Sequence, residues 1–312
     1  MSKIIVIAGP TASGKTDLSV HLAKRFKGEI INADSMQIYK EMDIGTAKPS
    51  KEEMAGVLHH LMGFLSPLDS FSVKEYVDLA HPIIQQIITA GKVPIIVGGT
   101  GMYINSLVDC TSFSNHDSDP AITNRLNILL ENEGAIGLHR ALEQVDPQLA
   151  SQLHPNNTRR VFRALELYHL TGVIPSKMRK EAVSHSSIYE PLMFAADFDR
   201  EVLYERINLR VKKMLESGLV EEVRSLREMG CTIEHQSMQG IGYKETFLYL
   251  DGHIGLNELY EMICRNTRRY AKRQLTWFRR DQRILWQKNG FDCMKIESIA
   301  DEFLNERGTA NE

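Results

Sequence analysis

Eight consecutive residues, Gly9, Pro10, Thr11, Ala12, Ser13, Gly14, Lys15 and Thr16, satisfy the spacing GxxxxGK[ST]. Glycines let the backbone curl until its N–H groups face an anion, a helix that follows adds positive potential at its N-terminus, and Lys15 brings a full charge. Thr16 carries the hydroxyl that such a loop offers to Mg2+. The loop therefore binds a di- or triphosphate group without saying which. A nucleotide hydrolase also needs an acidic residue, typically closing an apolar strand, to orient its metal ion. Here the apolar run 93–97 ends in Gly98, Gly99, Thr100 and Gly101. The carboxylate that does close an apolar run is Asp34, after residues 29–33. It could cap the turn it opens, ligate a metal through water, or act as a general base beside the phosphates.

The elements around these residues are legible from periodicity. A β-branched run over 3–8 precedes the glycine loop, and an amphipathic stretch over 15–26 follows it with Leu18, Leu22 and Phe26 on one face. Residues 29–33 and 93–97 read as two more strands, and 72–90 as a long helix opened by its serine. Strands alternating with helices give a parallel sheet, whose ligands sit outside the carboxyl ends of the strands, so the loops at Gly9, Asp34 and Gly98 converge. The expected fold is α/β: a P-loop-type parallel sheet flanked by helices, with an inserted small all-helical domain. Residues 1–113 and 188–312 form the core, and the polar, helix-like stretch 114–187, punctuated by Asp119-Pro120, Asp146-Pro147, His154-Pro155 and Ile174-Pro175, forms the insert. An apolar strand returns at 192–196. Asp199 then caps a helix with Leu203, Ile207, Val211 and Leu215 on one face and Arg206, Arg210 and Lys213 on another.

The chain has 312 residues, enough for a sizeable core, and a net charge of −3 that is unevenly spread. Residues 265–283 hold eight Lys and Arg against the single acid Asp281, leaving 29 basic residues against 39 acidic elsewhere. A basic helix on an acidic protein suits a polyanion, and a solvated face is the plainer reading. Cys110, Cys231, Cys264 and Cys293 form no metal or disulfide pattern, which fits a reducing compartment. His59 and His60 are adjacent, so they do not converge on one ion, and a structural role is expected of them. The apolar run 4–8 is too short for a signal peptide or a membrane span, so a cytoplasmic protein is expected.

Four stretches together, Gly9 to Thr16, Asp34-Ser-Met-Gln-Ile-Tyr39, Asp43-Ile-Gly-Thr-Ala-Lys-Pro49 and Val97-Gly-Gly-Thr-Gly-Met-Tyr103, closely resemble the tRNA dimethylallyltransferases, also called tRNA isopentenyltransferases. The resemblance continues through His154-Pro-Asn156, Arg159 to Glu166, Gln239 to Lys244 and Lys272 to Arg279, and spans nearly the whole chain. It implies Mg2+-dependent transfer of a dimethylallyl group from dimethylallyl diphosphate to N6 of the adenine on the 3′ side of the tRNA anticodon, with release of diphosphate. By the same resemblance Asp34 is the general base, Thr100 positions adenine and donor, and Arg210, preferred over Arg206, joins Lys15 and Thr16 with Mg2+ on the diphosphate. The implied tRNA contacts are Asp34, Ser35, Met36, Gln37 and Thr100 in the core; Thr123, Arg159, Arg160, Val161, Phe162 and Arg163 in the insert, which would grip the anticodon stem-loop; Gln239, Gly240, Ile241, Gly242, Tyr243 and Lys244; and Lys272, Arg273, Gln274, Leu275, Thr276, Trp277, Phe278 and Arg279. Thr123 suits a helix cap equally well, and Trp277 and Phe278, at helical spacing from Tyr270, suit core anchors better than stacking platforms. No membrane partner is implied, and the oligomeric state stays open, a monomer being its simplest form.

Three rival classes share the loop, one of them a non-catalytic RNA-binding module that would use phosphate only for stability. A small-molecule or nucleoside kinase would hold ATP there and use Arg159, Arg160 and Arg163 on a lid, but it leaves the basic helix unexplained. A prenyltransferase acting on free adenine nucleotides needs no RNA-gripping helix at all.

Overall fold

The computed structural model describes residues 1–111, 119–178 and 187–306. Ile4, Ile5, Val6, Ile7 and Ala8 have no exposed surface because β1 (Ser2–Ala8) runs through the interior of a six-stranded sheet. β2 (Glu29–Asn32), β3 (His59–His60), β4 (Pro94–Val97), β5 (Tyr189–Asp197) and β6 (Ile284–Lys288) complete it in the order β3-β2-β4-β1-β5-β6. Every pairing is parallel, with Ile5 opposite Ile95 on one side of β1 and Ile7 opposite Phe194 on the other. Strands covered on both faces are apolar throughout, which is why β1 reads as an unbroken run rather than an alternation. The direction of strand addition reverses at β1, and a crevice opens there at the carboxyl ends of the strands.

The helices follow in chain order. α1 (Lys15–Arg25) starts directly on the glycine loop, α2 (Lys51–Met54) is a single turn, and α3 (Val73–Thr89) is opened by a reciprocal cap between Ser72 and Glu75. α4 (Gly101–Val108) starts on the second glycine loop. α5 (Pro120–Val145), α6 (Pro147–Ala150) and α7 (Thr158–Thr171) belong to the inserted segment. α8 (Arg200–Glu216), α9 (Leu219–Glu228), α10 (Tyr243–Leu250), α11 (Leu256–Phe278) and α12 (Cys293–Asn305) return to the sheet. Leu18, Leu22 and Ala23 of α1 share a core cluster with Ile5, Ile7, Ile30 and Phe194 of the strands and Ile296 and Ala300 of α12.

The chain divides into two compact units, Met1–Val108 with Ile188–Glu312, and Asp109–Ser187. The boundary expected at 113/114 falls among residues 112–118, outside the described residues. The second unit is helical where described, around Leu126, Leu138, Leu142, Leu149, Val161 and Leu165. Its Asp-Pro pairs have a structural cause: Asp119 and Asp146 occupy N-cap positions with proline in the first turn, where a missing N–H costs nothing. Gly134, with φ of 66° and ψ of −169°, interrupts α5.

Several expectations need correction. The basic segment is not one helix, because α11 stops at Phe278 and Asp281 accepts from Arg283 N and Nε in the turn that leads into β6. Neither β6 nor β3 is evident in the sequence. The histidines of β3 do carry structural bonds: His60 Nε2 lies 2.6 Å from Glu29 Oε2, and His59 Nδ1 lies 2.9 Å from the Val57 carbonyl. Asp199 sits at the N-cap of α8, yet its side chain makes no capping hydrogen bond.

Candidate active site

The glycine loop joins the buried β1 to α1, so the first amides of α1 and the loop face one crevice. Lys15 Nζ folds back on the loop, donating to the Gly9 carbonyl at 3.1 Å and the Pro10 carbonyl at 2.6 Å. Ser13 Oγ is buried in the same loop without a hydrogen-bond partner, a position that a phosphate oxygen would satisfy. Burial pulls the Lys15 ammonium down to about 8, Asp34 opposes that shift and Arg210 adds to it. Arg210 is lowered by burial and partly restored by Asp34. Two half-buried cations and one carboxylate therefore share the cleft, and an arriving diphosphate would answer the surplus positive charge.

Asp34 stands one residue beyond Ala33, which follows β2, and its Oδ1 accepts from Met36 N at 2.9 Å. The turn role considered for Asp34 is thus present, and its second oxygen is left for other work. Thr100 Oγ1 accepts from Ser35 N at 2.9 Å and donates to Ser35 Oγ at 3.1 Å, tying the Asp34 turn to the glycine loop after β4. A Cβ on Gly98 would lie 2.1 Å from the Ala33 carbonyl oxygen, so these two strand ends touch backbone to backbone. Gly98→Ala is expected to cost about 1–3 kcal/mol through overpacking, read as a lower thermal midpoint. An unchanged midpoint would mean that the two loops part without strain.

One cleft is lined by Thr11 to Asp17, Asp34 to Gln37, residues 43–51, Arg206, Arg210, Gln239, Gly240, Ile241, Tyr270, Arg273 and Gln274. The two arginines of α8 take different places in it. Arg206 Nε donates to the Ala12 carbonyl at 2.8 Å, with its guanidinium 5.0 Å from the centre of the Phe198 ring, and it is exposed. Arg210 lies deeper, donating to the Thr46 carbonyl at 3.1 Å. Gln37 Nε2 donates to the Thr46 and Ala47 carbonyls, both at 3.2 Å.

Other expected contact residues serve the frame. Gln274 is buried, accepts from Thr11 N at 3.0 Å and donates to the Gly99 carbonyl at 2.9 Å, so α11 is bonded directly to both glycine loops. Tyr243 and Phe278 are buried, and Gly242 N donates to Glu245 at the start of α10. Trp277 packs where a Cβ on Gly101 would be, making it an anchor for α11 as its spacing suggested. Lys244, Lys272, Arg273, Thr276 and Arg279 are exposed and Leu275 is half-buried, with Arg279 paired to Asp197 at 3.1 Å. In the inserted unit Arg159 and Arg160 are exposed on α7, while Val161 lies in the core with Phe162 packed against it. Arg163 pairs with the buried Glu166, which also accepts from Thr123 Oγ1 at 3.0 Å. Thr123 is therefore not a cap, because Asp119 fills that position by accepting from Ala121 N.

Sequence reasoning missed Tyr270 and Glu222. Tyr270 lines the cleft with its hydroxyl against Thr100 and Gln274, and burial, then the Asp34 charge, raises it far above an ordinary phenol. Its spacing on α11 was a signal, read only as core. Glu222 bonds a loop nearly 180 residues earlier in the chain, for which no local signal exists.

Comparison with known proteins agrees with this geometry. Residues 37–281 match the IPP transferase family model and residues 2–63 the isopentenyl transferase model. A tRNA dimethylallyltransferase of Lachnoclostridium phytofermentans is 49% identical over 92% of this chain and 91% of its own length. One of Geobacillus thermodenitrificans is 49% identical over 96% and 93%. The crystal structure of a full-length tRNA isopentenylpyrophosphate transferase from Bacillus halodurans superposes with a TM-score of 0.74 at 43% identity, covering 98% of both chains. A eukaryotic dimethylallyltransferase captured acting on tRNA gives 0.84 at 31% identity, covering all of this chain and 82% of that one. A parallel sheet with a phosphate loop at its switch point, matched along nearly its whole length, makes this chain a member of the IPP transferase family, the family of the tRNA dimethylallyltransferases.

Proposed function

We propose that the chain transfers a dimethylallyl group from dimethylallyl diphosphate to N6 of the adenine on the 3′ side of the tRNA anticodon. The observation that carries this reading is the meeting of the phosphate loop, Asp34 and Arg210 in one cleft, beside a helix whose exposed face is basic. In the reaction the N6 lone pair forms a bond to C1 of the prenyl group while the C1–O bond breaks. The N6 proton passes to Asp34, and the electron pair leaves on diphosphate. Lys15, Arg210 and the loop amides meet the charge that grows on the leaving group. Adenine N6 is a weak nucleophile, so alignment with C1 matters, and Thr100, held against Ser35, would help to supply it.

The residues fit a Mg2+ ion held chiefly by its substrate. Among the described residues no cluster of three or more His, Cys, Asp or Glu forms a cage. The cleft instead offers the Thr16 hydroxyl, an oxygen donor that suits magnesium retaining water and diphosphate oxygens. When bound, the ion would neutralise diphosphate charge.

The target base must leave its stack to reach Asp34, and the unpaired anticodon loop makes that less costly. Exposed Lys272 and Arg273 on α11, and Arg159 and Arg160 on α7, would meet phosphates and set register. No helix among the described residues is long and apolar enough to cross a membrane. The test is incubation with Mg2+, dimethylallyl diphosphate and unmodified tRNA, followed by mass spectrometry of the nucleosides. A prenylated adenosine together with free diphosphate is expected. Transfer of phosphate from ATP to a small acceptor, with no prenylated tRNA, would replace this reading with a kinase.

A further inference from the structure

The Glu222 carboxylate on α9 bonds four donors that belong to other elements. Oε2 accepts from Asp43 N at 2.8 Å and Ile44 N at 2.6 Å, while Oε1 accepts from Gly45 N at 3.0 Å and from the Tyr243 hydroxyl at 2.7 Å. Three successive backbone N–H groups turned onto one carboxylate form an anion nest, here filled by the protein's own side chain. The loop also rests on the Tyr243 ring, since a Cβ on Gly45 would lie 2.5 Å from Tyr243 Cζ. Within the loop, Lys48 Nζ donates to the Tyr39 carbonyl at 2.7 Å and to Asp43 Oδ1 at 2.5 Å, and Thr46 Oγ1 donates to the Met42 carbonyl at 2.6 Å.

The product of this bracing is the placement of one carbonyl. Thr46 O is the acceptor for the Arg210 guanidinium, which faces Asp34 and the phosphate loop, and also for the Gln37 amide in the same cleft. Arg210 is a long side chain in a polar cleft, with many rotamers to lose, so a fixed acceptor narrows the positions from which it can meet a leaving group.

We propose that Glu222 is a positioning residue for prenyl transfer, acting through the loop 43–47 and the Thr46 carbonyl to hold Arg210 where diphosphate leaves. This rests on the transferase reading above. Tyr243, which the sequence resemblance places against RNA, is then the other half of the brace.

The test is Glu222→Gln. A carboxamide offers one acceptor oxygen and turns an NH2 group toward backbone donors, so either the Gly45 N bond or both the Asp43 N and Ile44 N bonds are lost. Hydrogen exchange at the amides of residues 43–45 is expected to rise about tenfold or more as those bonds open. Affinity for inorganic diphosphate with Mg2+ is expected to fall about tenfold, and kcat by a similar factor, with KM for tRNA changed much less. The deciding comparison is a double-mutant cycle with Arg210→Met. If Glu222 works through Arg210, adding Glu222→Gln to that variant weakens diphosphate binding by less than about twofold. An equal fold-loss with and without Arg210, or unaltered diphosphate binding in Glu222→Gln, overturns the proposal. Should Glu222→Gln fail to fold, Tyr243→Phe removes one donor and leaves the carboxylate, and the same cycle is run with a smaller expected loss. Exchange and diphosphate binding require no prenyl transfer. A wild-type chain that makes no prenylated tRNA would therefore count against the transferase reading, and these two measurements would still judge the brace.

Discussion

Asp34→Asn is expected to lower turnover about 10²- to 10⁴-fold, the usual contribution of a positioned general base, with tRNA affinity little changed. Asparagine is chosen over alanine because of what Asp34 does besides chemistry. Its Oδ1 accepts from Met36 N and so shapes the turn that carries Ser35, and Ser35 in turn fixes Thr100. An asparagine oxygen preserves that bond, whereas alanine would loosen the turn and confuse loss of the base with loss of the frame. Removing the charge also takes away the carboxylate that supports the ammonium of Lys15 and the guanidinium of Arg210. Donor affinity can therefore rise or fall modestly, and single-turnover kinetics with saturating donor isolates the chemical step. Full turnover in Asp34→Asn would return this residue to the turn alone.

The elements that carry chemistry were the most legible because each is encoded locally. An apolar run, a glycine-rich turn and an amphipathic helix are contiguous at residues 3–26, and a loop with that grammar has few other conformations to adopt. β4 and the glycines after it read equally well. β3 did not, because two residues show no alternation, and its parallel pairing with β2 depends on a chain segment 29 residues away. β6 was hidden by the basic run before it, whose charge suggests a continuing helix until Asp281 is seen to fold back on Arg283. The motifs each join residues whose structural places differ. Within the stretch 272–279, Lys272 and Arg273 face outward, whereas Gln274 bridges two loops about 260 and 175 residues distant and Phe278 fills the core. The same holds for 159–163, where exposed arginines alternate with the buried Val161. A recurring motif records that residues are required together, and only tertiary structure separates those that touch a ligand from those that hold the others in place.

Lys15→Met is expected to weaken binding of dimethylallyl diphosphate by about 2–5 kcal/mol, the cost of removing one partner from a desolvated charge pair, or roughly 30- to several thousand-fold. Methionine keeps an unbranched stem of similar length in the loop while deleting the ammonium. In the free protein that ammonium is held by the Gly9 and Pro10 carbonyls, and burial already pulls its pKa to about 8. Such a charge is costly to keep without an anion, so diphosphate gains not only an electrostatic partner but one already desolvated. The arginines do not replace it. Arg206 is exposed and engaged with the Ala12 carbonyl, and Arg210, which also donates to the Thr46 carbonyl, has its own share of the leaving charge to meet. Binding of tRNA should be nearly unaffected, because the exposed cations of α11 and α7 lie outside the phosphate loop. Calorimetry with the donor and filter binding with tRNA would separate the two effects. Normal donor affinity in Lys15→Met would overturn the assignment of this loop to the diphosphate, and a parallel loss of tRNA affinity would mean that both ligands draw on the Lys15 charge.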